Sequence, residues 1–331
     1  MSTLATGRRP SRPAPYRPSG LTWTVLRLHR TALYVWGAAL LIVAAALIWM
    51  HAAGPTTRFV GGCDAREPFS LDCGPFRETT AHKVHTYALA LVSGCVTYLM
   101  YAVAAWAGAA LTGRELESGT ARLAWTQSVT PARWLATRLA VPAVLLTAGT
   151  TLAFLLGNWT RRAGNEGLSG GWFNTNVFIS SGPVAVAYAL AGLALGALAG
   201  LVLRRALPAA AAALAAAYVL HEVLDGFRMS LWPAETATGQ AAFQIPYGSL
   251  VLEHGAVTSG GERLVTNASC VGTDGAALGK CLERSGMADF WTTYQPESHF
   301  WPLQLVESGL LLAVAGLAAA AAFALLRRRL V

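Results

Sequence analysis

Two short stretches carry residue types that could bind a metal or attack a substrate. His82 and His85 are spaced i, i+3 and could share a metal ion with a carboxylate such as Glu78. Ser169 stands between glycines in the stretch 167–170, where a serine nucleophile would need a membrane-embedded histidine as its base. Because both stretches are polar, we expect a solvated helix start at the histidines and a flexible turn at the serine. The sequence thus predicts no metal site and no catalytic residues.

A third stretch comes nearest to a phosphate-binding loop. Gly279-Lys280-Cys281 has Asp274 where the first glycine of such a loop should stand. Cys281 replaces the hydroxyl that would bind magnesium. The chain is therefore predicted to hold no nucleotide or other cofactor of its own.

Polar side chains also interrupt the apolar segments. Four ionisable residues cluster near the predicted outer ends of two segments: His221, Glu222, Asp225 and Glu307. They could mark a pathway, since ionisable groups near hydrocarbon are costly, or they could pair with Arg228 or water. A stripe of hydroxyls at helical spacing runs along another segment through Ser93, Thr97, Tyr98 and Tyr101. The stripe could pack against another helix, or it could form a wall that faces the substrate.

The elements that must position these groups are membrane-spanning helices. The chain is 54% hydrophobic and only 13% charged, a composition typical of the membrane class. Six stretches reach the roughly 17–25 apolar residues that a bilayer requires, so we predict an all-α integral membrane protein. The predicted spans are 32–50, 87–111, 139–156, 177–203, 207–224 and 303–326. Gly192, Gly196 and Gly200 lie on one face of the fourth, which predicts close helix packing, within the chain rather than in a dimer.

The distribution of basic residues predicts how the chain is oriented in the membrane. If the N-terminus is cytoplasmic, 15 of the 25 basic residues but only two of the 17 acidic residues fall on the inner side. Both termini are therefore predicted to be cytoplasmic, and the basic charge needs no nucleic-acid partner. Residues 1–20 are predicted to be a disordered tail, and residues 21–31 an interfacial amphipathic helix or an extension of the first span. The domain of six spans then covers 32–331.

The cysteines fit this orientation. Four of the five lie in two predicted external segments, the second of which is the long stretch 225–302. Local spacing favours the disulfides Cys63–Cys73 and Cys270–Cys281 among three connectivities. Apolar patches at 243–252, 290–291 and 300–301 predict that pieces of the long segment dip back into the outer interface.

The loop 112–138 stands out between the second and third spans. It contains GRELESGTARLAWTQSVTPARWLATR from Gly113 to Arg138. Gly119 breaks the preceding helix, and the Thr120 oxygen can accept from the free N–H groups of a new one. Thr130-Pro131 repeats the device, with proline at the first helical position. Two short helices back to back are predicted, of which the second leads into the third span.

This loop resembles the first cytoplasmic loop of type-2 ABC exporter permeases, in particular of the actinobacterial type. The resemblance is carried by Glu117-Ser118-Gly119-Thr120, an apolar and aromatic turn, then Thr130-Pro131-Ala132-Arg133 and Trp134. In that family a coupling helix in this loop docks on a separate ATP-hydrolysing subunit. The resemblance implies that the following residues couple to the ATPase: Glu115, Glu117, Gly119, Thr120, Arg122, Trp125 and Arg133.

The resemblance covers most of 21–329 and implies further properties. The chain would be a multi-pass permease in the plasma membrane of an actinobacterium, paired with two copies of an ABC ATPase that bind the ATP and magnesium. A second copy of the chain or a related permease would complete the transporter. The second and fifth spans of the two permease subunits would then face a central cleft. The implied substrate path contains Thr97, Tyr98, Tyr101, Ala215 and Tyr218. Small residues and tyrosines there predict an amphipathic substrate such as a drug, antibiotic or lipid, and the resemblance implies its export, as in multidrug resistance. A non-transporting membrane sensor or scaffold that partners an ABC ATPase is the alternative.

Overall fold

Six long helices form the body of the protein. The computed structural model describes residues 26–27, 30–53, 80–126, 129–163, 171–264 and 286–328. The helices, called the first to sixth spans below, are Arg30–Ala53, Thr80–Trp106, Pro131–Ala163, Val184–Leu203, Ala206–Phe227 and Phe300–Arg328. Each is long and apolar enough to cross a bilayer. The prediction of six spans is confirmed.

The two ends of the bundle differ in chemistry. Arg114, Arg133, Arg204 and Arg327 lie at one end, which we call the arginine-rich end. A β-sheet lies in the segment between the fifth and sixth spans, and we call that end the sheet end. The orientation of these ends in the membrane stays a prediction. The tail 1–20, most of the predicted helix 21–31 and the four cysteines that are predicted to form disulfides lie outside the described residues.

The fourth span is the centre of the bundle. It contacts the second, third, fifth and sixth spans, and most of its residues are buried. The second span continues past Trp106 as a π-helix, Ala107–Gly113, and one further turn, Arg114–Glu117. A Cβ at Gly196 would lie 2.6 Å from the Ala104 carbonyl oxygen, and one at Gly200 would collide with the Thr112 hydroxyl. These two glycines therefore let the second and fourth spans approach closely within one chain, as predicted.

The predicted fourth span is broken near its start. A short helix, Thr175–Ser180, begins at Asn174, whose side chain accepts from the Asn176 N–H. The break at 181–183 contains Pro183, which lacks an N–H and disfavours a helical residue before it. Gln304 of the sixth span bridges the gap, because it accepts from the Val184 N–H at 3.2 Å and donates to the Phe178 carbonyl at 2.6 Å.

The long segment between the fifth and sixth spans corrects the all-α prediction. It holds an antiparallel four-stranded sheet in the order β1-β4-β2-β3. The strands are β1 Glu235–Thr238, β2 Leu250–Thr258, β3 Arg263–Leu264 and β4 Met287–Gln295. Short 3-10 turns at Arg228–Ser230, Gly239–Phe243 and Glu297–His299 connect these elements. The aromatic patch at Phe290 and Trp291 lies on the central strand β4, where both side chains are buried.

Part-buried hydrogen bonds join the sheet segment to the helices. Trp172 Nε1 donates to the Gly248 carbonyl at 2.7 Å. The Gln295 amide donates to the carbonyls of Met229 and Trp232, each at 2.9 Å. These contacts tie the sheet to the end of the fifth span and to the segment that precedes the short helix Thr175–Ser180.

Candidate functional site

A buried carboxylate joins the second and third spans at the arginine-rich end. Glu115 Oε1 lies 2.6 Å from Arg138 Nη2, and Glu115 Oε2 accepts from Trp134 Nε1 at 3.1 Å. Trp134 is 1% exposed, and the side chains of Glu115 and Arg138 are about 10% exposed. A desolvated ion pair with good geometry resists separation, because either charge alone would be costly to bury. The end of the second span is thus held rigidly against the start of the third.

The connection between these spans is a helix of its own. Gly119 has φ +74°, a value that favours glycine, and the helix Thr120–Thr126 follows it; we call it the loop helix. Thr130 caps the third span, since its hydroxyl accepts from the Arg133 N–H at 3.3 Å with Pro131 at the first helical position. This confirms the predicted cap.

The Thr120 hydroxyl has a different partner from the one predicted. It donates to the Glu115 carbonyl oxygen at 3.2 Å, and Ser118 Oγ lies near the same carbonyl at 3.4 Å. The hydroxyls thus satisfy a free carbonyl at the end of the second span. Thr120 therefore closes the preceding helix and ties the loop helix to the Glu115 site.

One face of the loop helix is buried and the other is open. Ala121 is fully buried in a cluster with Trp134, Leu201 and Leu326, which belong to the third, fourth and sixth spans. Trp125 packs edge-on against Trp134 with ring centroids 5.7 Å apart. Leu123, in contrast, is 63% exposed. One face of the loop helix therefore lies in an apolar cluster to which three spans contribute, and the other face presents an exposed leucine.

The remaining residues predicted to couple lie around this helix. Glu117 Oε2 accepts from the Ala206 N–H at 3.0 Å. The Glu117 carboxylate therefore caps the first turn of the fifth span, where the positive end of the helix dipole stabilises a negative charge. Arg133 is exposed on the first turn of the third span. The side chain of Arg122 lies outside the described residues.

The predicted substrate path lies on the second and fifth spans, which pack against each other. Tyr98 is 57% and Tyr218 56% exposed, and Ala215 is also exposed. Tyr101 is part-buried, with its ring 5.8 Å from that of Tyr98. Thr97 lies apart, because it is 1% exposed and its hydroxyl donates to the Ser93 carbonyl. We call Tyr98, Tyr101, Ala215 and Tyr218 the tyrosine face.

The predicted polar cluster divides into a buried and an exposed part. Arg228 Nε lies 2.8 Å from Glu307 Oε2 in a site where their side chains are 2% and 0% exposed. Arg228 Nη1 lies 2.6 Å from Asp225 Oδ1, and the Tyr188 hydroxyl donates to Glu307 at 3.0 Å. This network joins the fourth, fifth and sixth spans at the sheet end.

The other two members of the cluster lie beside the tyrosine face. The His221 ring is buried 6.1 Å from the ring of Tyr101 and 5.9 Å from that of Tyr188. Glu222 is exposed, and it forms no ion pair with a residue in the described part of the chain. The sheet end of the tyrosine face therefore carries an open carboxylate.

A cleft of about 480 Å³ lies between the third, fourth and sixth spans. Its lining contains only apolar side chains and glycine, such as Leu139, Leu193 and Phe323. Ligand sites normally add a few polar groups that fix orientation. The cleft offers none, so it is a weaker candidate for selective binding than the tyrosine face.

Sequence reasoning missed several residues that the structure brings into these sites. The sequence pattern does not indicate that Trp134 and Arg138 are the partners of Glu115. Tyr188 and Gln304 gave no signal, because a single polar residue in an apolar span does not reveal its partner. Leu123 could have been found as an isolated leucine in a polar loop.

The six apolar helices and the buried polar links between them define a multi-pass membrane protein. A family model described as ABC-2 membrane transporter related matches residues 23–228. The match covers more than half of the chain, so the protein belongs to this family. It is a permease-like membrane component of an ABC transporter, a class of subunit that is generally non-enzymatic and works with an ABC ATPase. No curated protein and no solved structure matches the chain.

Proposed function

We propose that the chain is the membrane-spanning permease subunit of an ATP-driven exporter in the plasma membrane of an actinobacterium. Two copies of a separate ATPase would dock on the loop 113–138 at the arginine-rich end, which would be cytoplasmic. A second copy of this chain or a related permease would complete the assembly. The observation that carries the proposal is the rigid link from the loop helix to the spans through Trp125, Trp134 and Glu115.

The contacts of the loop helix suit it to transmit movement. Leu123 is available to a partner, while Ala121 and Trp125 lie in an apolar cluster to which the third, fourth and sixth spans contribute. Glu117 adds a fourth connection, to the start of the fifth span. A push on this helix would therefore move the ends of several spans together. Closure of the ATPases on ATP would shift the permease between inward-open and outward-open states.

The tyrosine face is the proposed substrate path. Its rings supply apolar area with polar tips, and Ala215 leaves room for a bulky ligand. Glu222 at the sheet end of this face favours a ligand with a positive group, because aromatic faces and a carboxylate both attract cations. The proposed substrate is thus amphipathic, a drug, antibiotic or lipid, and the open carboxylate favours a cationic one.

Reconstitution tests the proposal. The chain would be placed in proteoliposomes with each ABC ATPase subunit of its genome that lacks membrane spans. ATP hydrolysis and ATP-dependent movement of rhodamine 6G, a cationic amphiphile, and of a fluorescent phospholipid would be measured. The proposal expects hydrolysis in one pairing, stimulated by at least one probe that also moves. Hydrolysis that no amphiphile stimulates, with no movement, would favour the sensor or scaffold instead.

A further inference from the structure

The apolar cleft between the third, fourth and sixth spans is open because its two walls consist mostly of small residues. The fourth span forms its floor, where Leu193 is 2% exposed. The small residues of the walls are Ala136, Ala140, Ala143, Ala315, Gly316 and Ala319. A Cβ at Gly316 would meet nothing else in the described part of the chain within 4 Å. The third and sixth spans therefore leave a gap between them at this level.

The length of the cleft limits what can fill it. Its lining on the sixth span runs from Leu312 to Phe323, which is about 16 Å along a helix. The hydrocarbon core of a bilayer is about 30 Å thick, so one leaflet contributes roughly 15 Å. A membrane-spanning helix of a partner would need a groove about twice as long, whereas an acyl chain lies within one leaflet. The cleft therefore fits an acyl chain.

Two exposed arginines lie beyond the end of the cleft that is nearer the arginine-rich end. Arg133 precedes Ala136 by one turn of the third span, and Arg327 follows Phe323 by one turn of the sixth span. Neither arginine forms an ion pair with a residue in the described part of the chain. A lipid with its acyl chain in the cleft would place its headgroup at the level of these two side chains.

The acidic residues predicted for the arginine-rich end already have partners. They are Glu115 and Glu117. Glu115 is buried against Arg138, and the Glu117 carboxylate accepts from a backbone N–H at the start of the fifth span. Among the described residues, the mouth of the cleft therefore carries a net positive charge. Basic pockets between membrane helices bind anionic lipid headgroups.

An anionic phospholipid meets these requirements of length, polarity and charge. We propose that the cleft binds one acyl chain of such a lipid, and that the lipid phosphate lies near Arg133 and Arg327. The walls need no polar group for this ligand, because an acyl chain forms no hydrogen bonds. The lipid belongs to the leaflet at the arginine-rich end and braces the third span against the sixth. The inference rests neither on the proposed transport function nor on the orientation of the chain in the membrane.

Photo-crosslinking of the full chain in lipid nanodiscs, without an ATPase or ATP, tests this site. The nanodiscs would consist of phosphatidylcholine with a small, equal fraction of a probe that carries a diazirine on one acyl chain. The probe would be either phosphatidylglycerol or phosphatidylcholine, and peptide mapping would locate the label. One arginine near the membrane surface strengthens binding of an anionic lipid by about fivefold. We therefore expect the phosphatidylglycerol probe to label the walls of the cleft about fivefold more than the phosphatidylcholine probe.

The first span gives an internal reference for this comparison. Leu41 and Ile42 are 73% and 69% exposed, and neither lines the cleft. Both probes should label this part of the first span equally.

Two sets of variants separate the acyl chain from the headgroup. Gly316→Phe fills the cleft and should lose most of the labelling there, and Ala319→Phe replaces it if that variant does not fold. Gly309→Phe is the matched control, because a Cβ at Gly309 also meets nothing within 4 Å among the described residues, but Gly309 lies outside the cleft. Arg133→Gln combined with Arg327→Gln should remove the preference for phosphatidylglycerol.

Arg114→Gln is the control for the arginines, because Arg114 is exposed at the same end but lies on the second span. This variant should retain the preference. Equal labelling of the cleft by both probes in the wild type would overturn the proposal. Label on the first span with none in the cleft would overturn it too, since something other than lipid would then fill the cleft. The same holds for labelling that survives in the filled cleft, for an equal loss in Gly309→Phe, and for a preference that survives without both arginines.

Discussion

Glu115 Oε1 and Arg138 Nη2 lie 2.6 Å apart at the point where the loop 113–138 meets the third span. The same carboxylate accepts a hydrogen bond from Trp134, on which Trp125 of the loop helix packs. The ion pair is therefore the innermost link of a chain of contacts that starts at an exposed helix. The contribution of this ion pair to the stability of the protein can be measured separately from the coupling of the loop helix to an ATPase.

Removing one partner of this pair should destabilise the protein strongly. Glu115→Leu leaves the Arg138 charge uncompensated, and we expect a loss of about 3–5 kcal/mol in the free energy of unfolding. The double variant Glu115→Leu with Arg138→Met should recover much of the loss, because no buried charge remains. Denaturant unfolding in detergent measures both. A double variant that is less stable than the single one would contradict this account of the pair.

The Arg228 network predicts a similar effect at the sheet end. Glu307→Leu should lower the free energy of unfolding by about 3–5 kcal/mol, since Arg228 would be left buried with only Asp225. Tyr188→Phe removes one hydrogen bond to a charged group and should cost about 1.5–3 kcal/mol. The exposed Glu222→Gln is the control, with a change within about 0.5 kcal/mol. If all three variants unfold like the wild type, the Arg228 network does not stabilise the protein.

The outer cysteines give a test of compartment and orientation. Non-reducing peptide mapping should find Cys63 joined to Cys73 and Cys270 joined to Cys281. Loops of this size contribute roughly 2–3 kcal/mol by restricting the unfolded chain. Cys95, on the second span, should remain a free thiol. Free thiols at these four positions in native protein would show that the predicted topology or the predicted compartment is wrong.

The tyrosine face predicts which variants alter transport. Tyr101→Ala and Ala215→Trp should change movement of the probes or substrate-stimulated hydrolysis while basal hydrolysis stays the same. Leu317→Trp is the control, because Leu317 is 72% exposed and lies on the sixth span, whereas the tyrosine face is formed by the second and fifth spans. If both variants transport normally while changes in the sheet abolish transport, recognition lies outside the membrane.

The six spans could be predicted because a bilayer imposes a length of about 20 apolar residues on each helix. The cap at Thr130 and the close packing at Gly196 were also local and could be predicted. The pairing of Glu115 with Arg138 and Trp134 could not, because it depends on which faces of two helices meet. The pairing of β1 with β4 could not be predicted, because it joins residues more than 50 positions apart, with Glu235 opposite Tyr294. Only the hairpin of β2 and β3 is local, with Val257 opposite Arg263 across a turn that contains Gly260 and Gly261.

The loop helix tests the central claim most directly. Leu123→Asp places a charge on its exposed face, and Leu252→Asp on β2 is the matched control at the other end. With the ATPase that pairs with the wild type, we expect Leu123→Asp to insert and fold normally but to lose co-elution and permease-dependent ATP hydrolysis by at least tenfold. Leu252→Asp should keep both. Unchanged co-elution and hydrolysis in Leu123→Asp would contradict coupling through this helix.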